Sequence, residues 1–472
     1  MKKIVATLLL VSLLLTIGLM AGCSGTNSVL ANKFEIPEGG YDGSEVTITF
    51  YHTMGATDGK QDILNHYIGE FNKLFPNITV KHEQVGGYDD VRDQIKTQLT
   101  VGKQPNIAYC YPDHVALYNV AKAVVTLDEL IDSTITVTHD DGTTETLGMT
   151  AEQKADFIEG YYNEGREFGD NLMYTLPFSK STEVLYYNKT FFEEHELQVP
   201  KTWDELGEVC KKIKEIDPNS IPLGYDSESN WFITMCEQYG SPYTSATGDH
   251  FLFDNDTNKS FVKTFRDWYQ KGYVTTQEIY QAYTSGLFTA TTGTRSYMCI
   301  GSSAGASHQI PKKDANGNYP FEVGIATIPQ VNPDAPKVIS QGPSLCIFKD
   351  ANPQEVVASW LFVKYLTTNV DFQAAFADCS GYVPVLKSVA QHPTYAAKMA
   401  NANGFENLTY LSAKVCIEQA DAYYTSPAFN GSSDARDQVG ILIQSALTGD
   451  DNGNLDAFID KLFKDAVDKC NR

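Results

Sequence analysis

Four carboxylates stand where the sequence pattern predicts loops or the ends of elements: Asp113, Glu183, Asp226 and Glu237. Two such groups facing each other at a fixed separation can hydrolyse a glycosidic bond. Their spacing along the chain does not by itself bring any two of them together. The sequence has no GxxxxGK(S/T) or HExxH motif that would indicate a nucleotide or zinc enzyme. A secreted glycoside hydrolase or lyase therefore stays as an alternative.

A second candidate site is the stretch "LPFSKSTEVLYYNK", in which a polar run leads into an apolar one. Residues 184–187 have the branched and aromatic side chains that are typical of a buried strand. The five residues before them, 179–183, are all polar. Because buried polar groups need hydrogen-bond partners, we expect this run to line a cavity that holds water or a ligand.

The N-terminal 22 residues have the pattern of a signal peptide, since Lys2 and Lys3 precede an apolar run that ends in small residues and Cys23. The stretch "LMAGC" resembles a bacterial lipobox, in which the cysteine is lipidated. One acyl chain would anchor the protein to the cell membrane on its extracytoplasmic side. An ordinary secretory signal beside a cysteine is the alternative. Residues 23–43 are expected to form a flexible tether.

Charge and cysteine usage exclude several classes of partner. The 472-residue chain has a formal net charge of −23, and loss of the signal peptide removes two lysines and no acid, which makes it −25. A charge of this sign opposes binding to nucleic acid. The eight cysteines after Cys23 stand singly, with no CxxC pair, so we expect free thiols and no zinc site. The sequence predicts no metal and no cofactor.

The elements that must position these groups follow an α/β pattern. Apolar residues alternate at Val46, Ile48 and Phe50 as in a strand, and then recur at helical spacing over residues 63–74. The stretch "NITVKHEQV" returns to alternation, and a helical pattern separates it from "NIAYCY". Strands that alternate with helices predict an open, largely parallel sheet.

Local signals mark further elements. Asp141 and Gly142 predict the turn of a hairpin. Thr202 with Glu205 predicts a capping box at the start of a helix. Apolar residues at helical spacing over 455–466 predict a final helix that packs one face on the core.

The stretch "LPFSKSTEVLYYNKTFFEEHELQVPKTWDEL" resembles the central signature of a known family, the carbohydrate-type extracellular solute-binding proteins of ABC importers. The segments "EFNKLFPNITV", "RSYMCIGSSAG", "FEVGIATIPQ" and "SGYVPVLKSV" agree with that family in the same order. The resemblance spans nearly the whole mature chain. It implies an α/β fold of two lobes joined by a multi-crossing hinge, with a ligand enclosed between the lobes.

The resemblance also implies domain limits. Lobe 1 is expected to comprise residues 44–180 plus 326–376, and lobe 2 residues 181–325 plus 377–472. The chain is expected to cross between them near residues 177–183, 322–325 and 376–382. The polar run 179–183 would then line the cleft.

Within this family the chain resembles maltodextrin-binding proteins and, more closely, glycerol-3-phosphate-binding proteins. The matching segments imply seven ligand contacts: Tyr88, Asp113, Ser181, Trp231, Gly342, Tyr382 and Arg436. Asp113 is shifted by one position from the acidic residue of the pattern, because Pro112 intervenes. Each residue also has a structural alternative: Trp231 could anchor a core, and Gly342 could form a turn.

The ligand is expected to be a neutral carbohydrate, because the chain matches the broader family signature but departs from the glycerol-phosphate branch at Asp113 and around Trp231. The net charge of the mature chain also argues mildly against an anion. The alternative is glycerol-3-phosphate or one of its diesters, bound by Arg436 and by backbone N–H groups of "GSSAGAS" at residues 301–307. The protein is expected to be a monomer that delivers its ligand to an ABC permease. A surface adhesin for large glycans is a third class, which would need an open groove.

Overall fold

The computed structural model describes residues 33–471. The predicted signal peptide, Cys23 and the first part of the predicted tether lie outside the described residues. Within residues 33–471, no helix combines the length and the apolar character that crossing a membrane requires.

The strands are short and spread along the whole chain. Within residues 33–471 they are β1 (Val46–His52), β2 (Ile78–Gln84), β3 (Ile107–Cys110), β4 (Thr136–Thr138), β5 (Thr144–Thr146), β6 (Leu176–Pro177), β7 (Glu183–Asn188), β8 (Leu223–Tyr225), β9 (Val274–Thr276), β10 (Met298–Ser302), β11 (Val323–Ala326), β12 (Val338–Ile339), β13 (Ser344–Ile347) and β14 (Tyr423–Tyr424).

The α-helices alternate with these strands. In the same described part of the chain they are α1 (Lys60–Leu74), α2 (Tyr88–Leu99), α3 (Pro112–Asn119), α4 (Asp128–Ile131), α5 (Ala151–Asp156), α6 (Glu159–Asn163), α7 (Lys189–Glu194), α8 (Trp203–Ile216), α9 (Glu228–Tyr239), α10 (Asp256–Gln270), α11 (Gln277–Tyr280), α12 (Ser285–Phe288), α13 (Pro353–Thr368), α14 (Val370–Ser380), α15 (Pro393–Ala400), α16 (Leu408–Glu418), α17 (Ser432–Thr448) and α18 (Leu455–Cys470).

The first lobe is built on a five-stranded sheet of order β2-β1-β3-β13-β6. Strands β2, β1 and β3 are parallel, and β13 runs antiparallel to both of its neighbours. Val46, Ile48 and Phe50 point into the core as their alternation predicts. Helix α1 covers the same face with Leu64, Ile68 and Phe71, so the predicted βαβ start of the fold is confirmed.

The second lobe has its own five-stranded sheet, of order β11-β7-β10-β8-β9. Here β10, β8 and β9 are parallel, whereas β7 pairs antiparallel with both β10 and β11. Separate buried clusters cover the two faces of each sheet, so each lobe is a three-layer α/β unit. The predicted two-lobed α/β fold is confirmed.

The local signals also hold. Strands β4 and β5 form the hairpin around Gly142, whose φ is +82°. Thr202 caps α8 by accepting a hydrogen bond from the Glu205 N–H, while the Glu205 carboxylate accepts one from the Thr202 N–H. In α18 the predicted stripe packs on the core of the second lobe.

Three chain segments lie side by side between the lobes. The Ser181 and Gln341 backbones exchange hydrogen bonds of 2.9 Å in both directions, and Lys180 and Val383 do the same at 3.0 and 2.7 Å. The first segment joins β6 of one sheet to β7 of the other. These paired segments, residues 178–182, 340–343 and 383, are called the hinge below.

The packing favours two lobe limits that differ from those expected from the sequence. Ile328, Val338 and Ile339 belong to the core of the second lobe, and the chain returns to the first sheet only after them. After Val383 the chain packs on the first lobe again, through Val385 among others. Helix α16 then contacts β11 and β7 of the second sheet. These crossings could not be placed from local patterns, because apolar periodicity does not show which sheet a segment joins.

Candidate functional site

A cavity of about 710 Å³ lies between the lobes. Its walls come from residues that follow the carboxyl ends of strands: Tyr111, Pro112 and Asp113 follow β3, and Asp226 follows β8. In open α/β sheets, ligands bind at this edge because loops and helix N-termini converge there. The hinge contributes Gln341, and α17 closes one side of the cavity.

Three of the seven predicted contacts line this cavity: Tyr88, Asp113 and Arg436. They come from α2, α3 and α17, so both lobes contribute. Ser181, Trp231, Gly342 and Tyr382 are not among its lining residues.

Tyr88 and Tyr382 form a pair. Their hydroxyl oxygens are 3.0 Å apart, and the Tyr88 ring packs against that of Tyr111 with centroids 4.8 Å apart. Burial raises the pKa of Tyr88 well above its ordinary value, so its hydroxyl stays neutral. Tyr382 therefore contacts a residue that lines the cavity, although it is not itself a lining residue.

Asp113 makes a contact across the cleft. The Ser433 hydroxyl of α17 donates a hydrogen bond of 2.6 Å to its carboxylate. Burial acts to raise the pKa of Asp113, but His114, the Ser433 hydroxyl and Arg436 together lower it below its ordinary value. Asp113 is thus charged and joins the two lobes in this conformation.

Arg436 is held from behind by a buried amide. Its Nη2 donates to Oδ1 of Asn230, and Nδ2 of Asn230 donates to Oε1 of Glu183 at 3.0 Å. The Tyr225 hydroxyl donates to the other oxygen of Glu183 at 2.7 Å. Glu183 is 1% exposed, and burial raises its pKa to about 7.

Trp231 does not present a face to the cavity, in contrast to the ligand contact that the resemblance implies. Its side chain has no exposed surface, and it stacks on Phe265 at 3.6 Å and on Tyr225 at 5.0 Å between centroids. Both of its faces are therefore occupied by rings of the second lobe. Trp231 is a core anchor, which was the structural alternative.

Ser181 and Gly342 belong to the hinge. The Ser181 backbone pairs with Gln341, which does line the cavity. Gly342 has φ +92°, and a Cβ there would lie 2.4 Å from the Ser179 carbonyl oxygen, so only glycine fits. Both residues position the cavity wall without forming it.

The polar run 179–183 does not line the cavity either, contrary to expectation, since each of its residues is at most 2% exposed. Protein groups satisfy most of its polar atoms. The Thr182 hydroxyl donates to the Ile339 carbonyl at 2.6 Å, and the Lys180 ammonium donates to Glu164 at 2.5 Å. The partners are remote in sequence, and for that reason the run looked unsatisfied.

The run "GSSAG" also lies outside the cavity, although it was expected to bind phosphate if the ligand carried one. Ser303 is 1% exposed, and its hydroxyl oxygen accepts a hydrogen bond of 3.1 Å from the Thr182 N–H. This stretch has the GxSxG spacing of a nucleophile elbow, but its serine hydroxyl is bound to the hinge.

Several residues that line the cavity were not predicted from the sequence. Tyr283 is 66% exposed at the cavity wall, and Arg92 and Tyr243 also face the cavity. Polar residues directly after the apolar β8 stretch could have indicated Glu228. No local signal distinguishes Tyr283 from the other 26 of the 27 tyrosines of the chain.

The cavity is more acidic than basic. Its walls contain six carboxylates and two guanidinium groups: Asp89, Asp113, Asp226, Glu228, Glu278, Asp437, Arg92 and Arg436. Arg92 is already paired with Asp89 at 3.0 Å and with Asp93 at 2.9 Å. Arg436 is therefore the cavity guanidinium with no ion pair among the described residues.

The sequence profile of the bacterial extracellular solute-binding proteins matches residues 66–403. The chain belongs to this family. Its members bind solutes outside the cytoplasm and are not enzymes. The alternative of a glycoside hydrolase or lyase is therefore excluded. The expected family is confirmed, and the cavity between the lobes lies where a binding protein of this fold encloses its ligand.

Individual relatives extend the comparison. The chain is 25% identical over 358 residues to the maltotriose-binding protein of Pyrococcus abyssi, covering 73% of this chain and 68% of that protein. It is 27% identical over 171 residues to the sn-glycerol-3-phosphate-binding periplasmic protein UgpB of Salmonella typhimurium, which covers 36% of this chain and only 35% of that protein. The crystal structure of UgpB from Mycobacterium tuberculosis in complex with glycerophosphocholine has the same fold, with a TM-score of 0.68, 18% identity, and coverage of 90% of this chain and 100% of that one.

Proposed function

We propose that this solute-binding protein is the ligand-capturing component of an ABC importer and that its ligand is a neutral carbohydrate. The ligand would occupy the cavity between the lobes, and hinge closure would enclose it before delivery to the permease. We also propose that the mature chain is a monomer anchored to the membrane by a lipid on Cys23.

The charge of the cavity walls favours a neutral ligand over an anionic one. Six carboxylates and two guanidinium groups give an excess of negative charge, which opposes an anion. Carboxylates accept hydrogen bonds from sugar hydroxyls without needing a charged partner. Tyr283 offers an exposed ring that can pack on the C–H face of a sugar. The cavity volume of about 710 Å³ is in the usual range for small-molecule sites.

Glycerol-3-phosphate or a glycerophosphodiester is the second candidate. One observation favours it: Arg436 faces the cavity without a carboxylate in an ion pair, so its donors could meet a phosphate. The similarity to UgpB agrees with this candidate, although it covers a limited part of either chain.

Calorimetry of the parent protein, Tyr283→Ala and Arg436→Ala distinguishes the two candidates. The ligands would be maltotriose, other oligosaccharides, sn-glycerol-3-phosphate and glycerophosphocholine. For a neutral sugar we expect Tyr283→Ala to cost about 0.5 to 1.5 kcal/mol, or about 2- to 13-fold in affinity. Loss of the Arg436 hydrogen bonds would cost about 1 kcal/mol, roughly fivefold.

A phosphate ligand would reverse this order. Arg436→Ala would then cost about 2 to 4 kcal/mol, or about 30- to 1000-fold, because a buried charge loses its partner. Tyr280→Ala and Arg295→Ala are matched controls, since both side chains lie outside the cavity walls. Tight binding of sn-glycerol-3-phosphate that Arg436→Ala abolishes would overturn the carbohydrate proposal.

A further inference from the structure

A buried chain of hydrogen bonds stands behind the cavity guanidinium. From the core outward it runs from the Tyr225 hydroxyl to Glu183, from Glu183 to the Asn230 amide, and from that amide to Arg436. Glu183 and Asn230 are 1% and 2% exposed, and neither lines the cavity. A single amide therefore separates a buried carboxylate from the group that faces the ligand.

The chemistry of Glu183, Asn230 and Arg436 fixes which group donates and which accepts in each of these hydrogen bonds. A carboxylate only accepts hydrogen bonds, so Glu183 must receive the NH₂ end of the Asn230 amide. The oxygen end of that amide then faces Arg436, which only donates. Each group in the chain thus sets the orientation of the next, and Glu183 determines which atom of Asn230 holds the guanidinium.

We propose that Glu183 and Asn230 are positioning residues that hold Arg436 toward the ligand, and that the charge state of Glu183 controls how firmly they do so. The proposal rests on the interlobe cavity being the ligand site. It assigns a role to the last residue of the polar run 179–183.

Protonation of Glu183 would weaken the arrangement. A carboxylic acid can donate a hydrogen bond, so the Asn230 oxygen could turn toward Glu183. The amide NH₂ would then face the guanidinium, donor against donor. The titratable and charged groups around Glu183 are Tyr225 and Asp226 at the end of β8, Tyr424 of β14 and Arg436 of α17.

The sign of the pH dependence follows from this geometry. Burial raises the pKa of Glu183 to about 7, so the carboxylate loses its charge as the pH falls through neutrality. Affinity should be highest above pH 7 and should fall as the pH drops. One pH unit below the pKa leaves roughly a tenth of the groups charged. We therefore expect a neutral sugar to lose about 3- to 5-fold in affinity between about pH 8 and pH 6, because the loss cannot exceed the roughly fivefold contribution of Arg436 itself.

The test measures this profile by calorimetry, with maltotriose and with sn-glycerol-3-phosphate as probes. Glu183→Gln should bind more weakly than the parent at pH 8 and should show a flatter profile, because glutamine does not titrate. Glu237→Gln is the matched control. It also removes a half-buried glutamate of α9 whose pKa burial raises. Glu237 takes no part in the hydrogen bonds that lead to Arg436, so this variant should leave the pH profile unchanged.

A double-mutant cycle separates positioning from a general structural effect. In the Arg436→Ala background, Glu183→Gln should change the affinity by less than about twofold, because the group that it positions is absent. An equal loss of affinity with and without Arg436 would overturn the proposal. So would a parent-like affinity and pH profile in Glu183→Gln.

A measurement without ligand keeps this proposal separate from the proposed function. In ¹⁵N NMR of arginine-labelled protein, assigned with Arg436→Lys, the guanidinium of Arg436 should rotate slowly in the parent and freely in Asn230→Ala. Free rotation in the parent would overturn the positioning role of Glu183 and Asn230 even if a sugar binds. Hindered rotation together with failure of every probe to bind would support the positioning role of Glu183 and Asn230 and contradict the proposed ligands.

Discussion

The hinge contains a fully buried ion pair whose removal has a calculable cost. The Lys180 ammonium is 2.5 Å from Glu164 Oε1, 3.1 Å from the Ser344 hydroxyl and 3.2 Å from the Gly342 carbonyl oxygen. Lys180 has no exposed surface, and Glu164 is 3% exposed. The second oxygen of Glu164 accepts a hydrogen bond of 3.0 Å from the Ser340 hydroxyl. This pair joins the first lobe to two hinge segments.

Lys180→Met removes the ammonium but keeps an unbranched chain of similar length. Glu164 would then be a buried carboxylate with only hydroxyl donors around it. Loss of one partner of a buried pair costs about 3 to 5 kcal/mol, because the remaining charge is uncompensated. That is a large part of the roughly 5 to 15 kcal/mol that stabilises a typical domain. The double variant Lys180→Met/Glu164→Leu removes both charges and should recover most of the loss.

Urea unfolding followed by tryptophan fluorescence measures these free energies, since Trp360 reports on the first lobe and Trp203, Trp231 and Trp268 report on the second. Lys271→Met is the control: its ion pair with Asp267 is half exposed, and its unfolding should resemble that of the parent. The reasoning is refuted if Lys180→Met unfolds within about 1 kcal/mol of the parent, or if the double variant is no more stable than Lys180→Met.

Three further predictions follow from the same structure. Ser433→Ala removes the interlobe hydrogen bond to Asp113, so the unliganded protein should be more open in small-angle scattering and bind about fivefold more weakly; an unchanged radius would contradict this. Trp231→Phe should lower the free energy of unfolding by about 1 to 3 kcal/mol and leave affinity unchanged, whereas lost affinity at full stability would favour a ligand contact of Trp231. Cys23→Ala should release the protein from the membrane fraction, and continued retention there would count against the lipid anchor.

The sequence predicted the elements well where one local signal is sufficient. Alternation at Val46, Ile48 and Phe50 identified β1, and the Thr202 cap identified the start of α8. These features depend on neighbouring residues only. The resemblance to the solute-binding family then supplied the two-lobed arrangement, which local patterns alone do not contain.

The site was harder to predict, because its contacts join residues far apart in the chain. Lys180 looked like a cavity residue, since its partner Glu164 lies in another element and Ser344 is 164 positions away. Trp231 directly follows the polar stretch "DSESN" at residues 226–230, yet α9 buries every residue from 230 to 236. Exposure of Tyr283 depends on how two lobes meet, and no pattern around it reports that.

The central claim is that the ligand is a neutral carbohydrate held between the lobes. A crystal structure of the protein grown with the tightest-binding oligosaccharide of the panel tests it most directly. We predict density for the sugar within the cavity, in contact with Arg436 and with its ring against Tyr283. A sugar bound only on the outer surface, or a phosphate ester in the cavity against Arg436, would contradict the account.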